Sequence, residues 1–322
     1  MGLTRVAAVQ LEAQVGNIDA NLEMCAELGR QAVVDGAQWV ILPEFFSTGV
    51  ANRPDLAQNA PAPDGAPTQM LCDLARNNEV FVGGSTLVRD TDGNVRNAFF
   101  VVGPDGQILG RHDKDLPTMW ESSLYIGGSD SGVVETGQGK VGVAMCWELL
   151  RRQSAARLAG QVDLIVSGSG WWSIPSWAPR PLTQWLELRN SKRAVAAPTV
   201  FAEYCGAPIV HGAHAGFLQC PMPLLGATYS GHFEGGASVS DGHGNVLAQR
   251  RWDEGSGLAI ADVKLERSPS KPLPERFWLQ KRGTLPAIAW VYQNAWGRAE
   301  YQRTRGHQPL SNAARRYGDV EG

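Results

Sequence analysis

The 322-residue sequence has no uninterrupted apolar stretch of membrane-spanning length, so no membrane partner is expected. It also has no long run of Lys or Arg, and its formal charge is only −3. The electrostatic footprint needed for nucleic acid or anionic lipid is therefore missing. Five cysteines, at 25, 72, 146, 205 and 220, include no Cys-x-x-Cys pair, and an odd number leaves any disulfide framework incomplete. The opening Met1 to Leu11 has no basic region, apolar signal core or small-residue cleavage site. These absences point to a cytoplasmic protein with a small-molecule partner.

Several chemical signatures are absent too. There is no Gly-x-Ser-x-Gly elbow, His-Glu-x-x-His, Walker loop or dinucleotide fingerprint; Gly168-Ser169-Gly170 lacks the third glycine. No cofactor has an evident seat. His211 and His214, with His232 beyond, form too sparse a set to hold a metal, and none is expected.

What is present is core-forming material: 43% of residues are hydrophobic. Apolar runs at Val6 to Leu11, Trp39 to Leu42, Val80 to Val88, Ala98 to Val102, Val141 to Met145 and Leu164 to Val166 read as buried strands. Helical periodicity fills Asn21 to Val34, Pro67 to Asn77, Glu148 to Ala159 and Leu182 to Val195. This alternation predicts an α/β fold. Tight-turn residues at Asp92-Gly93-Asn94, Pro104-Asp105-Gly106 and Asp241 to Asn245 add hairpins to the crossovers. We expect one domain over 1–267 and a tail over 268–322. The tail carries Pro269, Pro272, Pro274 and Pro286 with Trp278, Trp290 and Trp296, and reads as an arm that either docks on a second subunit or wraps its own domain.

Three strand ends carry chemistry. In Val40-Ile41-Leu42-Pro43-Glu44 a buried strand delivers a carboxylate at the edge where α/β folds bind ligands. Desolvation raises the proton affinity of such a group and suits it to act as a base, although a lone Glu there also reads as a rim residue. Lys114 follows another strand-like stretch, with Glu121 seven residues on beside Trp120 and Tyr125; each alone reads as a surface charge. The sharpest signal is Val141-Gly142-Val143-Ala144-Met145-Cys146-Trp147, a buried strand meeting a helix start at a cysteine. A free thiol is mostly protonated at neutral pH and needs a base, a positive neighbour or a helix amino terminus to become nucleophilic. Glu44, Lys114 and the helix near Trp147 would supply all three; the alternative is a small buried hydrophobe, to which Cys25 and Cys72 are assigned.

A Glu, a Lys and a Cys in this order, each just beyond a strand, resemble the nitrilase superfamily of carbon-nitrogen hydrolases. The resemblance spans Val6 to Arg267 and includes Ala7-Ala8-Val9-Gln10, Arg193-Ala194-Val195-Ala196, Gly236-Ala237-Ser238 and Asp262 to Arg267. It implies a four-layer α-β-β-α sandwich with two mixed β-sheets that assembles as homodimers or larger oligomers. It also implies that Glu44 is the base, Lys114 the electrostatic partner, Glu121 the second glutamate and Cys146 the nucleophile of a thioester mechanism, with the Trp147 backbone N–H helping to hold developing negative charge.

The substrate class is narrowed less sharply. Cys146-Trp147-Glu148 and Lys114 followed by Pro117-Thr118 resemble true nitrilases, whereas Leu149-Leu150-Arg151-Arg152 and the Lys114 to Glu121 spacing favour an amide. We expect amide hydrolysis, with a nitrile or a carbamoyl amine as alternatives; acyl transfer to an amine and a non-catalytic binding role are further readings. Trp120, Trp147, Trp171 and Trp172 are the pocket candidates. Arg151 and Arg152 read as solvated or interface residues, with a substrate carboxylate as the other option. The Gly-, Pro- and His-rich stretch from Tyr204 to Gly236 reads as a lid.

Overall fold

The computed structural model describes residues 2–175, 180–223, 227–280 and 284–304. From the amino end the chain runs through β1 (Leu3–Leu11), α1 (Ile18–Val34), β2 (Trp39–Ile41), α2 (Pro54–Gln58), α3 (Ala66–Asn78), β3 (Phe81–Arg89), β4 (Val95–Val102) and β5 (Ile108–Asp113). It continues with β6 (Val133–Thr136), β7 (Gly139–Val143), α4 (Arg152–Leu158), β8 (Leu164–Ser169), α5 (Arg180–Cys205) and β9 (Ile209–His214). The hairpin β10 (Phe217–Pro221) and β11 (Thr228–His232) precedes β12 (Gly235–Ser240), β13 (Val246–Arg251), β14 (Gly257–Lys264) and α6 (Thr284–Thr304).

Two mixed half-sheets result. In the first, β1, β2 and β3 are parallel, while β14, β4 and β5 attach antiparallel. In the second, β7, β8 and β9 are parallel, with β6, β12 and β13 antiparallel. Among the described residues the halves are joined by strand pairing where the last two residues of β1 meet β9, Gln10 with Ala213 and Leu11 with His214.

Strand alternation explains the layering. Val6 and Ala8 of β1 enter the core between the half-sheets, with Ile41, Phe99, Val143 and Val166. Their neighbours Ala7, Val9 and Leu11 face the other way, onto Cys25, Leu28 and Ala32 of α1 and Leu71 and Leu74 of α3. On the far side Ile165 and Ile209 pack with Ala155 of α4 and Phe201 and Cys205 of α5. This is the four-layer α-β-β-α order. Burying each such aliphatic side chain is worth ~1.5–3 kcal/mol, so packing in these three interfaces carries the fold.

The strand directions gather the chemistry at one edge. β5 runs the same way as β3, being antiparallel to an antiparallel neighbour, so the carboxyl ends of β2, β5 and β7 lie together. Glu44, Lys114 and Cys146 follow those ends.

Several expectations change on the structure. Cys146, the expected nucleophile, does not head an α-helix: Cys146–Leu150 is a 3-10 turn, and α4 begins only at Arg152. The stretch from Tyr204 to Gly236 includes the central strand β9, which belongs to the core, before the β10–β11 hairpin. The tail is not all extended, since α6 packs against the 3-10 turn Met119–Ser123; Pro286 lies in its first turn, where a missing N–H breaks no helical bond. Helix α5 continues past Pro198 to Cys205, held by the burial of Ala197, Phe201 and Ala202. Cys72 is only half-buried, unlike Cys25.

Candidate active site

Glu44 sits three residues beyond β2 on a segment pressed against the second half-sheet. A Cβ on Gly168 would come within 2.4 Å of the Glu44 nitrogen, and one on Gly212 within 2.7 Å of the Pro43 nitrogen, so glycine on β8 and β9 is what admits this segment. The chain then turns sharply at Phe45, which has a φ of 54°. His214 Nε2 donates to the Glu44 carbonyl at 2.6 Å, fixing the turn. Burial lowers the His214 pKa to about 4, so the ring is neutral.

The carboxylate of Glu44 is enclosed by donors. Oε1 accepts from Asn97 Nδ2 at 2.9 Å and from Lys114 Nζ at 2.8 Å, and Oε2 accepts from the Gly170 N–H at 3.1 Å. Lys114 also donates to Glu121 Oε2 at 2.8 Å and to Thr118 Oγ1 at 3.0 Å. Tyr125 and the Thr118 N–H complete the set on Glu121 Oε2. Glu44, Lys114 and Glu121 all have zero exposure.

In this setting charge partners decide protonation. Burial works against the Lys114 ammonium, but Glu121 and Glu44 outweigh it and hold its pKa well above the ordinary value. Burial raises Glu121, with Lys114 opposing and Glu44 reinforcing. Burial also pushes the Cys146 thiol well above its usual range, Glu44 pushes the same way, and Lys114 pulls back. Cys146 thus rests as a neutral thiol beside Glu44. Its proton leaves only when a base takes it.

Cys146 occupies a left-handed backbone conformation, φ 48°, which costs a non-glycine residue ~1–2 kcal/mol. Glu148 holds the turn. Its Oε2 accepts from the Met145 N–H at 2.8 Å and its Oε1 from the Asp115 N–H at 3.0 Å. His112 donates Nε2 to Glu148 at 3.1 Å and Nδ1 to Asp130 at 2.6 Å. Burial disfavours the imidazolium, but Glu148 and Asp130 raise its pKa to about 9. Glu148 in turn is held well below the ordinary carboxylate range: burial opposes ionisation, and the charge and hydrogen bond of His112, with a hydrogen bond from the Asp115 side chain, overcome it.

All four tryptophans named from sequence border a cavity of about 280 Å³ that reaches Cys146. Thr118, Leu150, Met222 and Tyr229 also line it, so the β10–β11 hairpin does contribute to the pocket. Arg193 borders it from α5; burial and the neighbouring Arg189 lower its pKa. Arg151 is neither solvated nor in the cavity, for it is buried and forked onto Asp115, with Ser154 beside it, while Arg152 is exposed. His211 lies between Ser167 and Ser169, each at 3.0 Å. Among the described residues no His, Cys, Asp and Glu group has metal-binding form, and no helix is long and apolar enough to cross a membrane.

Sequence reasoning did not assign Asn97, Thr118, Tyr125 or Glu148 a role in the site. Asn97 carried a signal, as a polar residue inside a buried strand. The others act through partners that only the fold brings near.

Comparison with known proteins places the chain in a family. Residues 5–270 match the carbon-nitrogen hydrolase family. Omega-amidase NIT2 of Mus musculus is 32% identical over 161 residues, 46% of this chain and 56% of that protein. The alignment thus spans little more than half the relative's length. A nitrilase of Pyrococcus abyssi is 33% identical over 185 residues, 56% of this chain and 69% of that one. An amidase mutant from Nesterenkonia sp. AN1, with the acetamide moiety of fluoroacetamide on its active-site cysteine, superposes with a TM-score of 0.63 at 17% identity, covering 81% of this chain and 90% of that one. Saccharomyces cerevisiae Nit3, a member of branch 10 of the nitrilase superfamily, gives 0.65 at 20%, again covering 81% and 90%. At these identities the structures speak for the fold.

Proposed function

The chain belongs to the carbon-nitrogen hydrolase family, and from that premise we propose that it hydrolyses a small-molecule amide through a thioester on Cys146, releasing carboxylate and ammonia. The observation that carries this reading is the buried, hydrogen-bonded Glu44–Lys114–Glu121 chain beside the buried Cys146.

Glu44 takes the thiol proton as sulfur attacks the carbonyl carbon, so no free thiolate has to persist in a site that disfavours it. Lys114, with the Trp147 backbone N–H, faces the oxyanion that forms; removing one such donor typically costs about 3 to 4 kcal/mol. Glu44 returns its proton to the departing nitrogen, ammonia leaves, and the thioester remains. Glu44 then draws a proton from water, the hydroxyl adds to the thioester, and the collapsing intermediate expels sulfur, which recovers its proton. Glu121 orients the nitrogen.

Glu121 supports the choice of amide. Its Oε1 is buried without a hydrogen-bond partner among the described residues, while Oε2 is saturated. An amide NH₂ can donate to that oxygen; a nitrile nitrogen only accepts. The relative named a nitrilase keeps nitrile hydrolysis as the second reading. Ammonia release from matched amides, nitriles and carbamoyl amines tests the choice: amides should turn over fastest, and faster release from nitriles would reverse the assignment.

We also read the enzyme as a cytoplasmic homo-oligomer. All five cysteines are free, and exposed apolar side chains, Trp185 and Leu188 on α5 and Ile288 and Val291 on α6, are surface that a second copy would cover.

A further inference from the structure

The cavity above Cys146 is walled by indoles in two pairs. Trp120 and Trp172 stack with ring centroids 4.5 Å apart and planes inclined by 22°. Trp147 and Trp171 meet at 6.2 Å and 55°. The Trp171 ring and the Trp172 backbone are also tied by hydrogen bonds. Trp171 Nε1 donates to Asn190 Oδ1 at 3.2 Å, and the Asn190 amide donates in turn to the Trp172 carbonyl at 3.2 Å and to Glu234 at 2.6 Å. Asn190 faces the cavity, yet all of these bonds go to the protein and two of them to the wall, so it acts as a positioning residue for Trp171 and Trp172.

A preformed wall of flat π-faces loses little ordering entropy on binding, and its geometry rewards a partner that can stack or present an edge. A saturated chain would gain burial there but no ring-to-ring interaction. We infer that the acyl part of the substrate is a planar aromatic group lying against these four indoles, with its carboxamide carbon at Cys146. The inference rests on the amide-hydrolase reading and names the substrate class for it.

The test compares kcat/KM, from ammonia release by the full-length protein, for acetamide, cyclohexylacetamide and phenylacetamide. Phenylacetamide should exceed cyclohexylacetamide by about two- to tenfold, which isolates stacking from size, and acetamide by about a hundredfold or more. Trp172→Ala should bring the phenyl-to-cyclohexyl ratio toward one, and the wild-type ratio decides even if that variant is unstable. In parallel, Cys146→Ala is titrated with the same three amides by quenching of indole fluorescence. Ammonia from acetamide with no aromatic preference would overturn the inference and leave amide hydrolysis standing. Selective binding of phenylacetamide by Cys146→Ala, without ammonia from any amide, would support the aromatic pocket and sink the hydrolysis reading. Neither binding nor turnover would overturn both.

Discussion

Lys114 Nζ lies 2.8 Å from Glu44 Oε1, and neither residue has any exposure to solvent. With Glu121 at the same distance on its other side, the ammonium is the counter-charge for two buried carboxylates. In a low-dielectric site this makes Lys114 structural as well as chemical, because either carboxylate alone would resist burial.

Removing that counter-charge should therefore destabilise the protein. Lys114→Ala leaves Glu44 and Glu121 facing each other, and breaking a buried pair in this way costs about 3–5 kcal/mol. Urea unfolding monitored by tryptophan fluorescence should show a clear drop in midpoint, whereas an unchanged midpoint would mean that the carboxylates are solvated after all.

Glu44→Gln separates base catalysis from thiol chemistry. Losing a general base should lower amide turnover by about 10²- to 10⁴-fold. The same substitution removes the charge that raises the Cys146 pKa while leaving Lys114, which lowers it. The pH midpoint for alkylation by iodoacetamide should thus move down relative to wild type. A midpoint that moves up would contradict the electrostatic assignment.

Glu148 is predicted to position the nucleophile without touching substrate. Glu148→Gln removes one of the two oxygens that hold the Met145 and Asp115 amides and so loosens the left-handed turn at Cys146. Because both Glu148 oxygens are taken by donors of the protein itself, kcat should fall by about tenfold or more with KM little changed, the signature of misplaced reacting groups. A raised KM at constant kcat would point to a binding role instead.

His112 should give the stability a pH dependence. Its folded-state pKa, about 9, lies above the ordinary value of 6.5. Its contribution is therefore complete below pH 6.5 and is lost as pH rises through about 9, a change of roughly 3 kcal/mol. Thermal unfolding of wild type should weaken across that window relative to His112→Asn, whose own curve should be flatter there. Parallel curves would remove His112 from the account.

The sequence was legible where function sits at the end of a strand. Buried runs ending at Pro43-Glu44 and Met145-Cys146 announce their edge directly, and the indole-rich positions 120, 147, 171 and 172 all prove to border one cavity. Groups that matter through long-range partners were not legible. Asn97 meets Glu44 across 53 residues and His112 meets Glu148 across 36, so neither pairing leaves a local pattern. Helix α6 was missed because prolines around it obscure its start. The length of α5 was missed because tertiary burial of Phe201 and Ala202 overrides the proline at 198.

The central claim is a covalent acyl group on Cys146, and intact-protein mass spectrometry during turnover of phenylacetamide, quenched in acid and followed by peptide mapping, tests it most directly. The account predicts an added mass equal to the acyl group, confined to the peptide carrying Cys146, absent from Cys146→Ala and released by hydroxylamine. Turnover of the amide by Cys146→Ala at the wild-type rate, or an adduct on any other residue, would contradict it.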